Sequence, residues 1–338
     1  MAGILENHPG YGRSLLAMAT LALQRNDRLR AFKLTRRAVA FPEVATAARA
    51  LLASLLPGYH VPMMNDARRN EAWDRALRRA IRPGMHVLEI GTGAGMLALM
   101  AARAGAGLIT TCERDPVAAA IATEIAASNG YADRIHVIAE ASQDLTLDAP
   151  ADLLFCDIFS NNLIGFDPLS AIADARSRLL VANAPVVPAS VAIRLALAQW
   201  SGYERFCQTG RAAGFDISPF SCFATRPRTL RVGDPGLHLR SADYEAFRFD
   251  LAAPSHPAAG RIELQCEAAS NGIVNGIVQW IRLELDAETA LESRPEPGAE
   301  FFSAPHFHPF AEPLVMRAGD GLLLTAAYAG KELIIGLN

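Results

Sequence analysis

The segment that most constrains this chain is Glu89-Ile90-Gly91-Thr92-Gly93-Ala94-Gly95, set between the apolar run at 86–90 and the helix-forming stretch at 96–104. A strand that ends in alternating glycines and opens a helix lets a ligand approach bare backbone, with the N–H groups of the helix start facing it. The pattern then repeats. Residues 108–113 read as a second strand, 116–129 as a second helix, 135–139 as a third strand and 152–157 as a fourth, and 179–188 carries the chain to the end of the unit. Strands alternating with helices predict a parallel sheet with both faces covered.

The glycine spacing discriminates between cofactors. A dinucleotide fingerprint would want its third glycine where Met96 stands, one residue after Gly95. The Glu-x-Gly-x-Gly-x-Gly form resembles instead the motif for S-adenosylmethionine (SAM), a cofactor with no pyrophosphate to set against the helix dipole. The second strand runs into Cys112-Glu113, which puts a carboxylate where it can accept both ribose hydroxyls. Cofactor-binding candidates are therefore Glu89, Gly91, Gly93, Gly95 and Glu113, with Ser142 after the third strand on the side of the base.

Other chemistries lack their residues. There is no Gly-x-Ser-x-Gly elbow and no His-Glu-x-x-His spacing, and Cys112, Cys156, Cys207, Cys222 and Cys266 form no Cys-x-x-Cys pair. No metal is expected. Odd, scattered cysteines fit a reducing compartment, so the expected location is cytoplasmic. The net charge of −3 supplies no positive field for nucleic acid. The apolar stretch from Val87 is interrupted by Glu89, Arg103 and Glu113, so no membrane span is expected.

With 338 residues, 51% of them hydrophobic and 20% charged, more than one globular domain is expected. Residues 11–56 show three helical stretches, and after about residue 190 the helical period gives way to short β-rich runs split by Gly and Pro. The predicted fold class is α/β: a Rossmann-like SAM-binding domain (58–188), a mostly antiparallel β domain (189–338), and a helical N-terminal extension (1–57).

From about residue 59 onward the chain resembles the protein arginine methyltransferases. Met63-Met64-Asn65-Asp66-Ala67-Arg68-Arg69-Asn70 is similar to the family's segment that folds over the cofactor. By position, Arg69 would pair with the methionine carboxylate, a match suited to the guanidinium fork. The run from Phe155 to Phe166 resembles the family's double-glutamate loop, especially that of the monomethylating branch. Pro188-Ala189-Ser190 looks like the exit into the barrel, and Pro305-His306-Phe307 stands in place of a Thr-His-Trp loop. An aromatic-rich insertion at about 198–236 occupies the place of a dimerisation arm.

The resemblance implies that the β domain (189–338) is β-barrel-like. It also implies SAM as cofactor, leaving as S-adenosylhomocysteine, a methyl transferred to a guanidinium nitrogen of arginine in a protein or peptide, and a homodimer. It gives Asp157 the task of orienting the guanidinium, and His306 with Asp66 that of steering the released proton. Met63 would line the methyl channel, while Phe166 and Phe307 would wall the substrate pocket. Two positions depart from the family pattern. The first clamp carboxylate is the shorter Asp157, and the second is the uncharged Phe166. Two other readings therefore stay open: methyl transfer to a less charged nucleophile, and a SAM-binding scaffold that transfers no methyl.

Overall fold

The computed structural model describes residues 10–296 and 303–337. The first nine residues of the expected helical extension, and 297–302 and 338 of the expected barrel, lie outside the described residues. Packing gathers the chain into two compact units. One runs to Asn65 and takes in Ile81–Asp148; the other comprises Asp66–Ala80 and the chain from Ala149 onward. These units are defined by packing, whereas the boundaries at 57 and 188 are defined by motif, and the two divisions differ.

The first unit opens with helices α1 (Tyr11–Gln24), α2 (Arg28–Ala38) and α3 (Ala45–Leu55). In α1, Leu15, Ala19 and Ala22 are buried at helical spacing, the stripe that a packed amphipathic helix requires. Helix α2 begins where Asp27 accepts the Arg30 N–H and caps it. A one-turn helix, α4 (His60–Met64), follows, and then α5 (Ala67–Ala80), which belongs to the second unit. The sheet of the first unit is β1 (His86–Ile90), β2 (Leu108–Cys112) and β3 (Ile135–Ile138), with helix α6 (Met96–Ala104) after β1 and α7 (Pro116–Ser128) after β2. All three strands are parallel, β2 central, with Glu89 opposite Thr111 and Thr111 opposite Val137. Helix α7 has Pro116 at its start and Asp115 as its cap, a pairing in which the missing proline donor costs nothing. Its face joins Val117 to Phe32 and Leu55, so the N-terminal helices share a core with the parallel sheet's helix.

The second unit contains the parallel pair β4 (Leu153–Cys156) and β5 (Val186–Val187) and helix α8 (Pro168–Arg178). Antiparallel structure follows. In chain order it consists of β6 (Ser190–Trp200), α9 (Tyr203–Cys207), β7 (Arg211–Ala212), β8 (Phe215–Asp216), β9 (Arg228–Thr229), β10 (Leu237–Leu239), β11 (Tyr244–Asp250), β12 (Ala259–Glu267), β13 (Gly272–Glu284), β14 (Ala290–Glu292), β15 (His306–Met316), β16 (Gly321–Ala329) and β17 (Glu332–Leu337). Strand β13 is the spine, paired with β6 on one side and β15 on the other, and it is buried almost throughout because neighbours flank both of its edges.

Two expectations change here. The inserted arm cannot start at 198, because residues up to Trp200 complete β6, and Trp200 and Tyr203 are buried in a barrel core with Val278 and Trp280. Phe307, expected as a wall of the substrate pocket, is fully buried in the same core, its ring centroid 5.4 Å from that of Trp200. Room for it comes from Gly276, where a Cβ would stand 2.4 Å from the Phe307 ring. Phe206, Phe215, Phe220 and Phe223 of the insertion stay exposed.

Candidate active site

In the first unit Gly91, Gly93 and Gly95 take φ of +78°, +55° and +82°, the left-handed region that side chains disfavour. The Gly91 and Thr92 N–H groups donate to the Cys112 carbonyl (2.9 and 3.3 Å), which fastens the loop to the end of β2. Just past that end, Glu113 receives the Gly93 N–H on Oε2 (3.0 Å) and the Asp115 N–H on Oε1 (2.9 Å). The carboxylate is thus oriented before any ligand arrives, and each oxygen retains a further lone pair for a ribose hydroxyl. Glu89 lies deeper than expected for a cofactor ligand. It is buried and accepts the Thr111 hydroxyl at 2.7 Å, which makes it a support beneath the loop. Ser142 is also buried, its hydroxyl 3.3 Å from Gln143 Oε1.

Beside the loop lies an apolar cavity of about 310 Å³, walled by Leu52, Leu56, His60, Met64, Gly93 and Ile121. His60 sits so close that a Cβ on Gly93 would lie 3.5 Å from its ring, and it stacks on Tyr59 at 4.5 Å. Burial lowers its pKa against the opposing pull of Glu113 and Asp115. Met63, the expected channel residue, shares helix α4 with His60 and Met64 and is half-buried. One contact that the sequence did not suggest is Arg28, which donates to Asp115 Oδ2 (2.7 Å) and to the Leu55 carbonyl. Asp115 in turn caps α7 through Val117 and Ala118. Bare glycine backbone and a preset acceptor carboxylate fit SAM, whose ribose diol would meet Glu113, while the adjoining apolar walls suit the flat face of a ring or a methylene chain rather than a charged group.

In the second unit Arg69 and Asp157 form a buried ion pair. Arg69 Nε and Nη2 both donate to Asp157 Oδ2, at 2.9 and 2.6 Å. Arg69 Nη1 donates to Asn70 Oδ1 (3.0 Å), and its backbone N–H donates to Asp66 Oδ1 (2.9 Å). The residue expected on the cofactor's carboxylate therefore also holds the clamp carboxylate. Asp157 Oδ1 and Asp66 Oδ2 are buried without a hydrogen-bond partner among the described residues.

His306 is half-buried, and burial lowers its pKa. It lies in the same unit as Asp66, but the expected pair is not joined by a hydrogen bond, because one Asp66 oxygen is taken by the first turn of α5 and the other has no partner among the described residues. Phe166 is 48% exposed, at the end of a loop folded by the Gly165 N–H donating to Ser160 Oγ and Asn162 Oδ1. Among the described residues no group of His, Cys, Asp and Glu is arranged to hold a metal, and no helix is long and apolar enough to cross a membrane.

Known proteins share this layout. An arginine N(omega)-methyltransferase of Streptomyces achromogenes subsp. streptozoticus is 31% identical over 288 residues, covering 83% of this chain and 79% of that protein. The chain belongs to the arginine N-methyltransferase family. It is a SAM-dependent methyltransferase, as the glycine loop and Glu113 led us to expect.

Residues 75–178 match the family described as ribosomal protein L11 methyltransferase (PrmA). Protein arginine N-methyltransferase 7 of Drosophila grimshawi is 30% identical over 257 residues, 66% of this chain and 35% of that protein, so the chain spans about a third of that relative. Among solved structures, the Trypanosoma brucei PRMT1 enzyme-prozyme heterotetrameric complex with AdoHcy superposes with a TM-score of 0.73 at 20% identity, covering 84% of this chain and 93% of that one. Arabidopsis thaliana protein arginine methyltransferase 10 superposes at 0.67 with 16% identity, covering 79% and 86%. These establish the fold as Rossmann-like with a β-barrel domain.

Proposed function

We propose that the chain transfers the SAM methyl to an ω-nitrogen of arginine, with arginine itself as the acceptor to test first. The observation that carries this is the similarity along 83% of the chain to an enzyme named for arginine, where the protein-arginine relatives match over only 35% of their own length. Arginine within a protein or peptide is the second reading, supported by the names of those relatives and by the likeness of residues 155–166 to the clamp loop.

Bound SAM supplies a methyl on a positively charged sulfur and departs as S-adenosylhomocysteine. The chain's own contribution is positioning and electrostatics. Glu113 takes the ribose, and Arg69, beyond its bond to Asp157, takes the methionine carboxylate by its position in the family's motif. Asp157 Oδ1 accepts an N–H of the guanidinium and so orients the lone pair of the attacking nitrogen. As the N–C bond forms and the C–S bond breaks, the methylated nitrogen gives up one proton. His306, whose pKa burial lowers, receives it without the help of Asp66, to which no hydrogen bond joins it.

The functional division follows the motifs: extension 1–57, cofactor domain 58–188 and barrel 189–338. The exposed Phe215, Phe220 and Phe223 on the insertion support a homodimer, since such rings are costly to leave in water. None of the five cysteines forms a disulfide, which suits a cytoplasmic setting.

Incubation with isotope-labelled SAM, free arginine and arginine peptides, followed by mass spectrometry, tests the acceptor. Methyl on the ω-nitrogen of free arginine supports the first reading and methyl only on peptides supports the second. Methyl on neither removes arginine. Sedimentation at micromolar concentration tests the dimer, and a monomer throughout would exclude it.

A further inference from the structure

The clamp of this chain is short of acceptors. Asp157 has one oxygen committed to Arg69, and Phe166 offers none. A guanidinium brings five N–H donors in a fixed fork, so a single remaining oxygen cannot satisfy it. Among the described residues, another buried acceptor in the same unit has no partner, in addition to Asp157 Oδ1 and Asp66 Oδ2. It is Gln279 Oε1 on β13, whose residue is 0% exposed.

The orientation of that amide is fixed by its neighbour. Gln279 Nε2 donates to the Asn161 carbonyl at 3.0 Å, and a carbonyl can only accept, so the NH2 must face Asn161 and Oε1 must be the oxygen left over. Asn161 follows Asp157 by four residues in the clamp loop, and its side chain is tied to Ser303 at 3.2 Å. Across the sheet, Gln279 stands directly opposite His306 in the β13–β15 register. Gln279 thus bridges the loop that carries the clamp and the strand that carries the proton acceptor. Buried acceptors without donors are rare in folded proteins, and those that persist at a site tend to wait for a ligand's donor.

We propose that Gln279 is a substrate-contacting residue: its Oε1 accepts an N–H of the acceptor guanidinium and takes over part of the role that a second clamp carboxylate would play at Phe166. The proposal rests on arginine being the acceptor. A neutral amide orients the fork without adding another negative charge beside Asp157 and Asp66. Fewer carboxylates around the guanidinium also make its proton easier to surrender once the methyl is in place.

The test compares the full-length wild type, Gln279→Ala, Gln279→Met (which keeps the side-chain volume), Phe166→Glu, and the Gln279→Ala/Phe166→Glu double variant. Readouts are KM and kcat for free arginine and an arginine peptide, the SAM dissociation constant by calorimetry, and the melting temperature. Loss of a hydrogen bond to a charged group should raise the arginine KM roughly tenfold in both Gln279 variants. SAM affinity should stay at its wild-type value, while loss of the bond to the Asn161 carbonyl lowers the melting temperature in either reading. In the double variant Glu at 166 should bring the arginine KM back toward wild type.

A residue that only braces Asn161 would shift kcat and SAM affinity together and gain nothing from Phe166→Glu, and that pattern overturns the proposal. So does an unchanged arginine KM in either folded variant, which would mean that water satisfies Oε1. Absence of arginine turnover by the wild type, scored in the same assay, is the separate result that removes the arginine reading and the contact with it.

Discussion

Arg69 and Asp157, 88 residues apart, form an ion pair in which two guanidinium N–H groups converge on one carboxylate oxygen, with side chains only 3% and 4% exposed. Asp157 Oδ1 is left without a donor among the described residues. Removing one partner strands a buried charge, so Asp157→Ala should cost about 3–5 kcal/mol of stability and Arg69→Met a similar amount. The double change Arg69→Met/Asp157→Leu should recover much of that loss while leaving the protein inactive. Urea unfolding of the three variants checks the prediction, and simple additivity of the two single losses would contradict it.

Glu113 is held by two backbone N–H groups at the edge of the glycine loop. Glu113→Ala should weaken SAM binding by about 1.5–3 kcal/mol, the usual loss for hydrogen bonds to a charged group. Calorimetric titration with SAM measures it directly. Wild-type affinity in the variant would take Glu113 out of the site.

Arg28 ties the N-terminal helices to Asp115, two residues beyond Glu113, through a pair whose side chains are 34% and 26% exposed. A partly solvated pair adds about 0.2–1 kcal/mol at most. Arg28→Ala should therefore leave the melting temperature nearly unchanged and weaken SAM binding a few-fold through the Asp115–Glu113 turn. The effect should shrink as salt is added to the wild type, because the pair is screened.

His308 is buried deeply enough that desolvation, with the charge of nearby His306 adding to it, pushes its pKa down to about 3. The unfolded chain takes up the proton first as the pH falls below the ordinary value of 6.5. Stability contributed by the neutral ring is thus complete above that pH and is lost progressively between about 6.5 and 3. His60, His256 and His306 are shifted in the same direction by burial. Urea midpoints at pH 7, 6 and 5 should decline, and His308→Leu should flatten the decline by up to one proton's slope, about 1.4 kcal/mol per pH unit. An unaltered slope would show that His308 does not report on acid unfolding.

The sequence alone determined the features that act over a few residues. The strand–glycine–helix segment, the carboxylate that ends β2 and the three N-terminal helices are written in local spacing, and the structure places them at 86–104, 113 and 11–55. Side-chain partners are a different matter. Gln279 meets Asn161 across 118 residues and Arg28 meets Asp115 across 87, and neither pairing carries a motif. Phe307 illustrates the limit from the other side. Its position matches a substrate-loop residue, yet β-sheet register turns its ring into the core above Gly276. Periodicity and backbone propensity are properties of neighbours along the chain, so they can be read directly. Which buried oxygen lacks a donor, and which carboxylate is already taken by an arginine, depends on segments brought together only when the sheet pairs and the core closes, and tertiary structure alone decided these.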